Sequence, residues 1–203
     1  MASPDLPDEA AITRTVTALQ ARNIHVIVTT TGAEACQAVL ALLPDGAEIC
    51  DNTSETLDAI GFTACVRGNP RYRNLHEAYE AESDPVRRNE LRRRRASIAE
   101  YVIGSVQAVA ETGEIFISSS SGSQLAPYVY AAKRVILVVG AQKIAPTFAD
   151  AMQRVRGHTL RRHDQWLAGM GRAPTPIGKL GIIEHESQAG RITVVLVRAA
   201  LGW

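Results

Sequence analysis

Arg134-Val135-Ile136-Leu137-Val138-Val139 is the stretch that decides the fold class, because it is continuously apolar from Val135 to Val139. A strand with one wet face alternates apolar and polar side chains; a parallel strand covered by helices on both faces does not. The run therefore predicts a central, doubly covered strand over 134–139. Gly140-Ala141-Gln142-Lys143 follows as a loop, and Pro146 suits the first turn of a helix over 147–156.

The same order of elements recurs upstream. Ile12, Val16 and Leu19 repeat with helical spacing, which predicts a helix over 8–22. His25 to Val28 reads as a strand, Thr29-Thr30-Thr31-Gly32 as a turn that caps a helix over 33–43, and Pro44-Asp45-Gly46 as its end. A short strand over 48–50 precedes a helix over 55–60, started by Ser54 and favoured by Glu55 and Asp58. This β-α-β-α order is the pattern of a parallel sheet with helices on its faces. Residues 67–110 break it, with Asn74-Leu75-His76-Glu77 and then a helical stretch over about 84–109 that carries Arg87, Arg88 and Arg92 to Arg95. Two late strands, 180–184 and 191–197, flank Ser187-Gln188-Ala189-Gly190 and read as a C-terminal β-hairpin. The expected architecture is one α/β domain over 1–203, with 67–100 as a helical, Arg-rich insertion.

The segment Glu111-Thr112-Gly113-Glu114, strand 114–118 and Ser119-Ser120-Ser121-Gly122-Ser123-Gln124 holds the first candidate site. A strand, a Gly/Ser loop and a helix (here over 124–132) present backbone N–H groups and hydroxyls to an anion. In an open parallel sheet, ligands bind beyond the carboxyl ends of the strands. If strands 114–118 and 134–139 are neighbours, the Ser119–Gln124 and Gly140–Lys143 loops share one crevice. Ser119, Ser121 and Ser123, with the N–H groups of Gly122 and Gln124, would then hold a carboxylate or phosphate, and Lys143 would add a positive charge. Without a ligand, the same serines serve to cap the helix. Glu111 and Glu114 are candidates for a general base or nucleophile, and Thr112 and Gly113 for ligand contacts. The alternative is a plain helix-to-strand turn with Gly113 at positive φ. Lys143 and Lys179 stand out among 22 basic residues, nearly all arginine, as compact point charges. Arg191, at the start of the last strand, reads first as a surface residue, with reach toward a ligand as the alternative.

Other classes find little support. Net charge is +1, and the acids Glu82, Asp84, Glu90 and Glu100 interleave with the Arg87–Arg95 cluster, which argues against a nucleic-acid partner. No apolar run reaches the roughly 20 residues that span a bilayer. Met1-Ala2-Ser3-Pro4-Asp5 does not resemble the start of a secretory leader, so a cytoplasmic location is expected. Cys36, Cys50 and Cys65 are too widely spaced for a disulfide framework, an iron–sulfur cluster or a structural zinc. His158 and His163 lack metal-helix spacing, while His76 would approach the crevice if 67–80 folds over it. Neither a dinucleotide fingerprint nor a P-loop occurs, so no cofactor is implied by motif.

Tyr101 to Lys143 resembles the lactate-utilisation (LUD) domain family, of the subunit-C-like type and a compact branch. The resemblance rests on Gly104-Ser105-Val106, Ala110-Glu111-Thr112-Gly113, Ser119 to Gln124 with Leu125-Ala126-Pro127, and Val138-Val139-Gly140 with Gln142-Lys143-Ile144. The tail Ile177-Gly178-Lys179-Leu180 and Arg191 to Val197 fits the same branch. It implies a Rossmann-like fold similar to the sugar-isomerase and CoA-transferase group, and a bacterial role beside iron–sulfur proteins that oxidise L-lactate. Three roles are compatible with it. One is a protein of organic-acid metabolism that binds a small anionic metabolite; another is a non-catalytic scaffold for iron–sulfur subunits; the third is a CoA-ester or sugar-phosphate enzyme. A homo-oligomer is expected on general grounds.

Overall fold

The computed structural model describes residues 6–203, the side chains at 95–97 excepted. The Met1–Asp5 stretch that bears on a leader, and the Arg95 side chain, lie outside the described residues. The first half alternates as expected. Helix α1 (Glu9–Ala21) leads to β1 (His25–Thr29), α2 (Gly32–Ala41), β2 (Glu48–Asp51), α3 (Glu55–Ala59) and α4 (Phe62–Val66). Local chemistry starts these helices. Asp8 accepts from the Ala11 N–H at 2.6 Å, Thr31 and Glu34 form a reciprocal capping box, and Ser54 caps α3.

Next come β3 (Arg73–Asn74), α5 (Leu75–Glu80) and α6 (Pro85–Ile98). The helix expected to run to 109 stops there. β4 (Tyr101–Ser105) and β5 (Ala108–Ala110) follow it, then β6 (Ile115–Ser119) and β7 (Arg134–Gly140). The apolar run Val102-Ile103 is needed inside the sheet, where both residues are fully buried. The helix expected over 124–132 is present in shortened form: an α turn at 125–126 runs into a π-helix at Pro127–Ala131. The chain ends with β8 (Ile144–Ala145), α7 (Phe148–Arg154), α8 (Leu160–Gly169), β9 (Lys179–Ile183) and β10 (Ile192–Val197).

Two sheets organise the molecule. The first is wholly parallel, in the order β1-β10-β7-β4-β2-β3. β7 lies near its centre, as its unbroken apolar run requires. Its residues alternate between two cores. Ile136 and Val138 pack with α2, α3 and α4, while Val135, Leu137 and Val139 pack with α1 and the second sheet. The second sheet has the order β8-β5-β6-β9, and its outer face, through Phe116 and Ala110, meets Ala151 and Val155 beside α7.

The expected C-terminal hairpin is not formed. β9 pairs antiparallel with β6 in the second sheet, whereas β10 lies between β1 and β7 in the first. The reason is burial: all six residues of β10 are buried, which only an interior strand provides. The connection between the sheets is tied down by Arg191. Its guanidinium is buried, pairs with Glu186 at 2.9 Å, and donates to the Tyr128 and Ala132 carbonyls. It is a structural staple and not a surface residue.

Strands β6 and β7, expected as neighbours, belong to different sheets. What joins their loops is a bend. β4 and β7 run side by side in the first sheet, and both chains then pass into the second sheet as the parallel pair β5 and β8. The crossing residues, Ser105 to Gln107 and Ala141 to Lys143, sit at that bend.

Candidate functional site

A cavity of about 290 Å³ opens at the bend, beyond the carboxyl ends of β2, β4 and β7. The first sheet brings Asn52 to Thr56 and Ser105 to it, the second sheet Ser118 to Ser121, and α6 contributes Arg92. This is where a parallel sheet exposes its strand ends to a ligand. The volume is at the small end for ligand sites and suits a metabolite.

Lys143 forms the floor. It is 1% exposed, yet lines the cavity, and its Nζ donates to Thr56 Oγ1 at 2.8 Å and to Ser105 Oγ at 2.9 Å. Both hydroxyls pass their own protons on, Ser105 to the Val138 carbonyl at 2.7 Å and Thr56 to the Leu201 carbonyl at 3.2 Å. Burial, and then the Arg154 charge, bring the ammonium pKa down to about 7 against the opposing pull of Glu55. Arg154 is itself lowered to about 10 by burial.

Arg92 forms one wall. Its Nη2 donates to Ser121 Oγ at 2.9 Å and to Ser123 Oγ at 3.0 Å. The Gly122 N–H, expected to meet a ligand, instead donates to Ser119 Oγ at 2.9 Å. Gln124, expected to offer its backbone N–H, donates its side-chain amide to the Ser118 carbonyl at 2.8 Å. The serine loop is thus pre-formed by its own hydrogen bonds, and it presents hydroxyls together with an arginine. The segment before β9 passes close over it: a Cβ at Gly178 would lie 2.1 Å from the Ser120 carbonyl oxygen. Lys179 is exposed, packs its stem beside Gly122 and does not line the cavity. Gly140 also stands outside it, holding the 199–201 segment close, since a Cβ there would meet the Leu201 nitrogen at 2.8 Å.

The far wall is aromatic. Trp166 of α8 and Trp203 line the cavity, each with its ring centroid 5.9 Å from that of His163. Glu55 and Asp58 are the carboxylates on the lining.

The Glu111 turn is elsewhere. Glu111 pairs with Arg14 at 2.8 Å, and Glu114 is held by Arg22 and by the Thr112 hydroxyl. Gly113 adopts φ 97°, and a Cβ there would strike the Arg22 side chain. None of Glu111, Thr112, Gly113 or Glu114 lines the cavity. They form the turn between β5 and β6, fastened to α1. His76 is likewise remote, buried between Asp51 at 3.6 Å and Glu80 at 3.3 Å.

Of the sequence candidates, the structure therefore gathers Ser119, Ser121, Ser123, Gln124 and Lys143. Sequence reasoning missed Arg92, Ser105, Thr56, Trp166 and Trp203. One signal was available, since both tryptophans of the chain are in this wall. A second depression, between Asp150, Arg154, His158 and Arg161, offers less. Arg154 is occupied by the Gln107 carbonyl and Thr159, and Asp150 by Thr147.

The model of the LUD domain family matches residues 12–201. The chain belongs to the LUD domain family. A solved structure shares the fold. The crystal structure of a DUF162 family protein from Deinococcus radiodurans superposes with a TM-score of 0.58 at 14% identity, covering 95% of this chain and 99% of that one. A weaker likeness, to eIF2B beta from Chaetomium thermophilum, has a TM-score of 0.36 at 16% identity over 57% of this chain and 39% of that one, and bears on nothing further. No protein of curated function matches the chain. Within this LUD domain no helix of the described residues is long and apolar enough to cross a membrane.

Proposed function

We propose that this LUD-domain protein binds a small organic acid in the cavity at the sheet junction, in the service of lactate or related organic-acid utilisation. The observation that carries the reading is a buried lysine with no acid partner at ion-pair distance among the described residues, facing a cavity that also holds Arg92 and a serine loop. A carboxylate entering there supplies the counter-charge that Lys143 lacks, and Arg92 with Ser121 and Ser123 adds charge-assisted hydrogen bonds. The aromatic wall limits the space to a short chain and shields the ion pair from water. The family resemblance supports the pathway; the cavity supports the ligand class. Oligomerisation and association with iron–sulfur partners belong to the same proposal and rest on the family resemblance alone.

The test is a thermal-shift and calorimetric series with lactate, pyruvate, inorganic phosphate, sugar phosphates and CoA esters, on wild type and on Arg92→Ala. A carboxylate that stabilises the wild type, and does so at least about tenfold less well with Arg92→Ala, is the expected result. Stabilisation by phosphate or CoA esters and not by carboxylates would move the assignment to the sugar-phosphate or CoA class. No response to any compound would favour the scaffold role.

A further inference from the structure

We propose that Lys143 is a nucleophile that condenses with the carbonyl group of an oxo acid held in the cavity, forming an imine. This inference rests on the organic-acid reading above and goes beyond it, from holding an acid to reacting with one.

The argument begins with the hydrogen bonds of Nζ. Its two partners, Thr56 Oγ1 and Ser105 Oγ, lie 2.8 and 2.9 Å away, and each has already committed its own proton to a backbone carbonyl. Neither hydroxyl can donate to the amine, so both only accept from it. A neutral amine has two N–H groups and one lone pair. Here the two N–H groups are matched by two acceptors, and the lone pair is left unmatched. The side chain is 1% exposed and lines the cavity, so the cavity is where a reactant reaches that lone pair. The arrangement orients a nucleophile as well as it binds an ion.

The surroundings shift the balance toward the neutral form. Glu55 pulls toward the ammonium, but burial and the Arg154 guanidinium outweigh it and leave a pKa of about 7. Near neutral pH the neutral fraction is then about a thousand-fold larger than that of an ordinary lysine. A desolvated lysine beside a second cation is a recognised way to activate an amine.

The step balances without any co-reactant. The Nζ lone pair attacks the carbonyl carbon, the carbonyl π pair moves to oxygen, and one N–H proton transfers to that oxygen, giving a carbinolamine. Protonation of the hydroxyl and loss of water then give the iminium, with a C=N bond in place of C=O. One amine, one carbonyl compound and one proton become one iminium and one water. The iminium restores the positive charge at the position of the ammonium, and the acid's own carboxylate is present to offset it. Arg92 and Ser123 line the same cavity and provide that carboxylate with hydrogen-bond donors, Ser121 having passed its proton to Ser123 at 3.2 Å. The ligand class follows: a small aldehyde or ketone that also carries a carboxylate.

Reductive trapping tests it. Full-length protein is incubated with cyanoborohydride and either pyruvate or glyoxylate, from pH 6 to 9, and labelled positions are mapped by peptide mass spectrometry. Lys133 and Lys179 in the same chain are the internal standards, one on the surface in a pair with Glu100 and one beside the serine loop. The expected adduct has the mass of one oxo acid less one oxygen. It forms on Lys143 in large excess over the two standards at pH 7, and the excess shrinks as pH rises and the ordinary lysines lose their protons. Lys143→Arg keeps a cation and loses the adduct.

Labelling shared evenly among the three lysines, or absent from Lys143 with both oxo acids, overturns the proposal; no folded variant is needed for that comparison. If Lys143 stays unlabelled while pyruvate or lactate still stabilises the protein, the organic-acid site survives and the nucleophile does not. If neither labelling nor stabilisation is seen, both readings fall together.

Discussion

The pH dependence of stability is the sharpest consequence of burying Lys143. In the unfolded chain this lysine titrates at its ordinary value of 10.5; in the fold it titrates at about 7. Between those values the unfolded state binds more protons than the folded one, so stability rises with pH. The favourable contribution of the neutral amine is complete above 10.5 and is lost progressively as pH falls toward 7. Below that, the fold carries the full cost of a desolvated ammonium. Each unit of pKa difference corresponds to about 1.4 kcal/mol. From pH 7, where the folded-state lysine is half protonated, to pH 9, the gain from this one group is about 2 kcal/mol. In a chain of this size that corresponds to roughly 4–8 °C in Tm. The comparison is between wild type and Lys143→Met, which fills similar space and does not titrate. Cysteines, tyrosines and the other lysines are common to both proteins, so their effects cancel in the difference. Melting each protein by circular dichroism at pH 7, 8 and 9 should show Lys143→Met losing ground steadily to wild type as pH rises. Parallel curves from a folded variant would mean that the lysine has the same pKa folded and unfolded, and that its burial carries no proton-linked cost.

Three further outcomes are expected. Arg191→Ala leaves Glu186 and the Tyr128 and Ala132 carbonyls buried without their partner and should cost about 3–5 kcal/mol by urea denaturation, whereas an exposed pair such as Arg94–Glu90 should cost less than about 1. Gly104→Ala places a Cβ 1.7 Å from the Tyr128 hydroxyl, which Asn52 Nδ2 holds at 3.0 Å, and the overpacking should destabilise by about 1–3 kcal/mol; an unchanged midpoint would mean that Tyr128 has room to move. Burial first, and then Cys65, push the Cys36 thiol up to about 11, while Cys65 is exposed, so iodoacetamide at pH 8 should alkylate Cys65 well before Cys36.

Much of the first sheet was legible from residues 8 to 60 and 134 to 139. There the signals are local: capping side chains at Asp8, Thr31 and Ser54, turns with Gly or Pro, and an apolar run at β7 that only a covered strand tolerates. The errors arose where a short apolar run had no local marker of its type. Val102-Ile103, directly after an Arg-rich helix, reads as a continuation of it, and only the space between β2 and β7 makes it a strand. β9 and β10 are close in sequence and look like a hairpin, but the full burial of Ile192 to Val197 draws β10 into the first sheet and leaves β9 to the second.

For the site, the order of residues along the chain was enough to read the chemistry of the pieces: a loop of serines, a lysine after the central strand, and their position beyond strand ends. Those are properties of residue type and of short-range order, and they survive whatever the rest of the chain does. Which of these pieces meet follows from long-range packing. The bend that carries β4 and β7 together from one sheet into the other brings Ser105 and Lys143 to one point. The same packing sets Arg92, from a helix whose other arginines look the same in sequence, against Ser121 and Ser123. It also ties Glu111 and Glu114 to α1, away from the cavity. Contacts between residues this far apart in the chain depend on how two sheets cross, and that crossing is settled by the burial of both cores at once and not by any local run of residues.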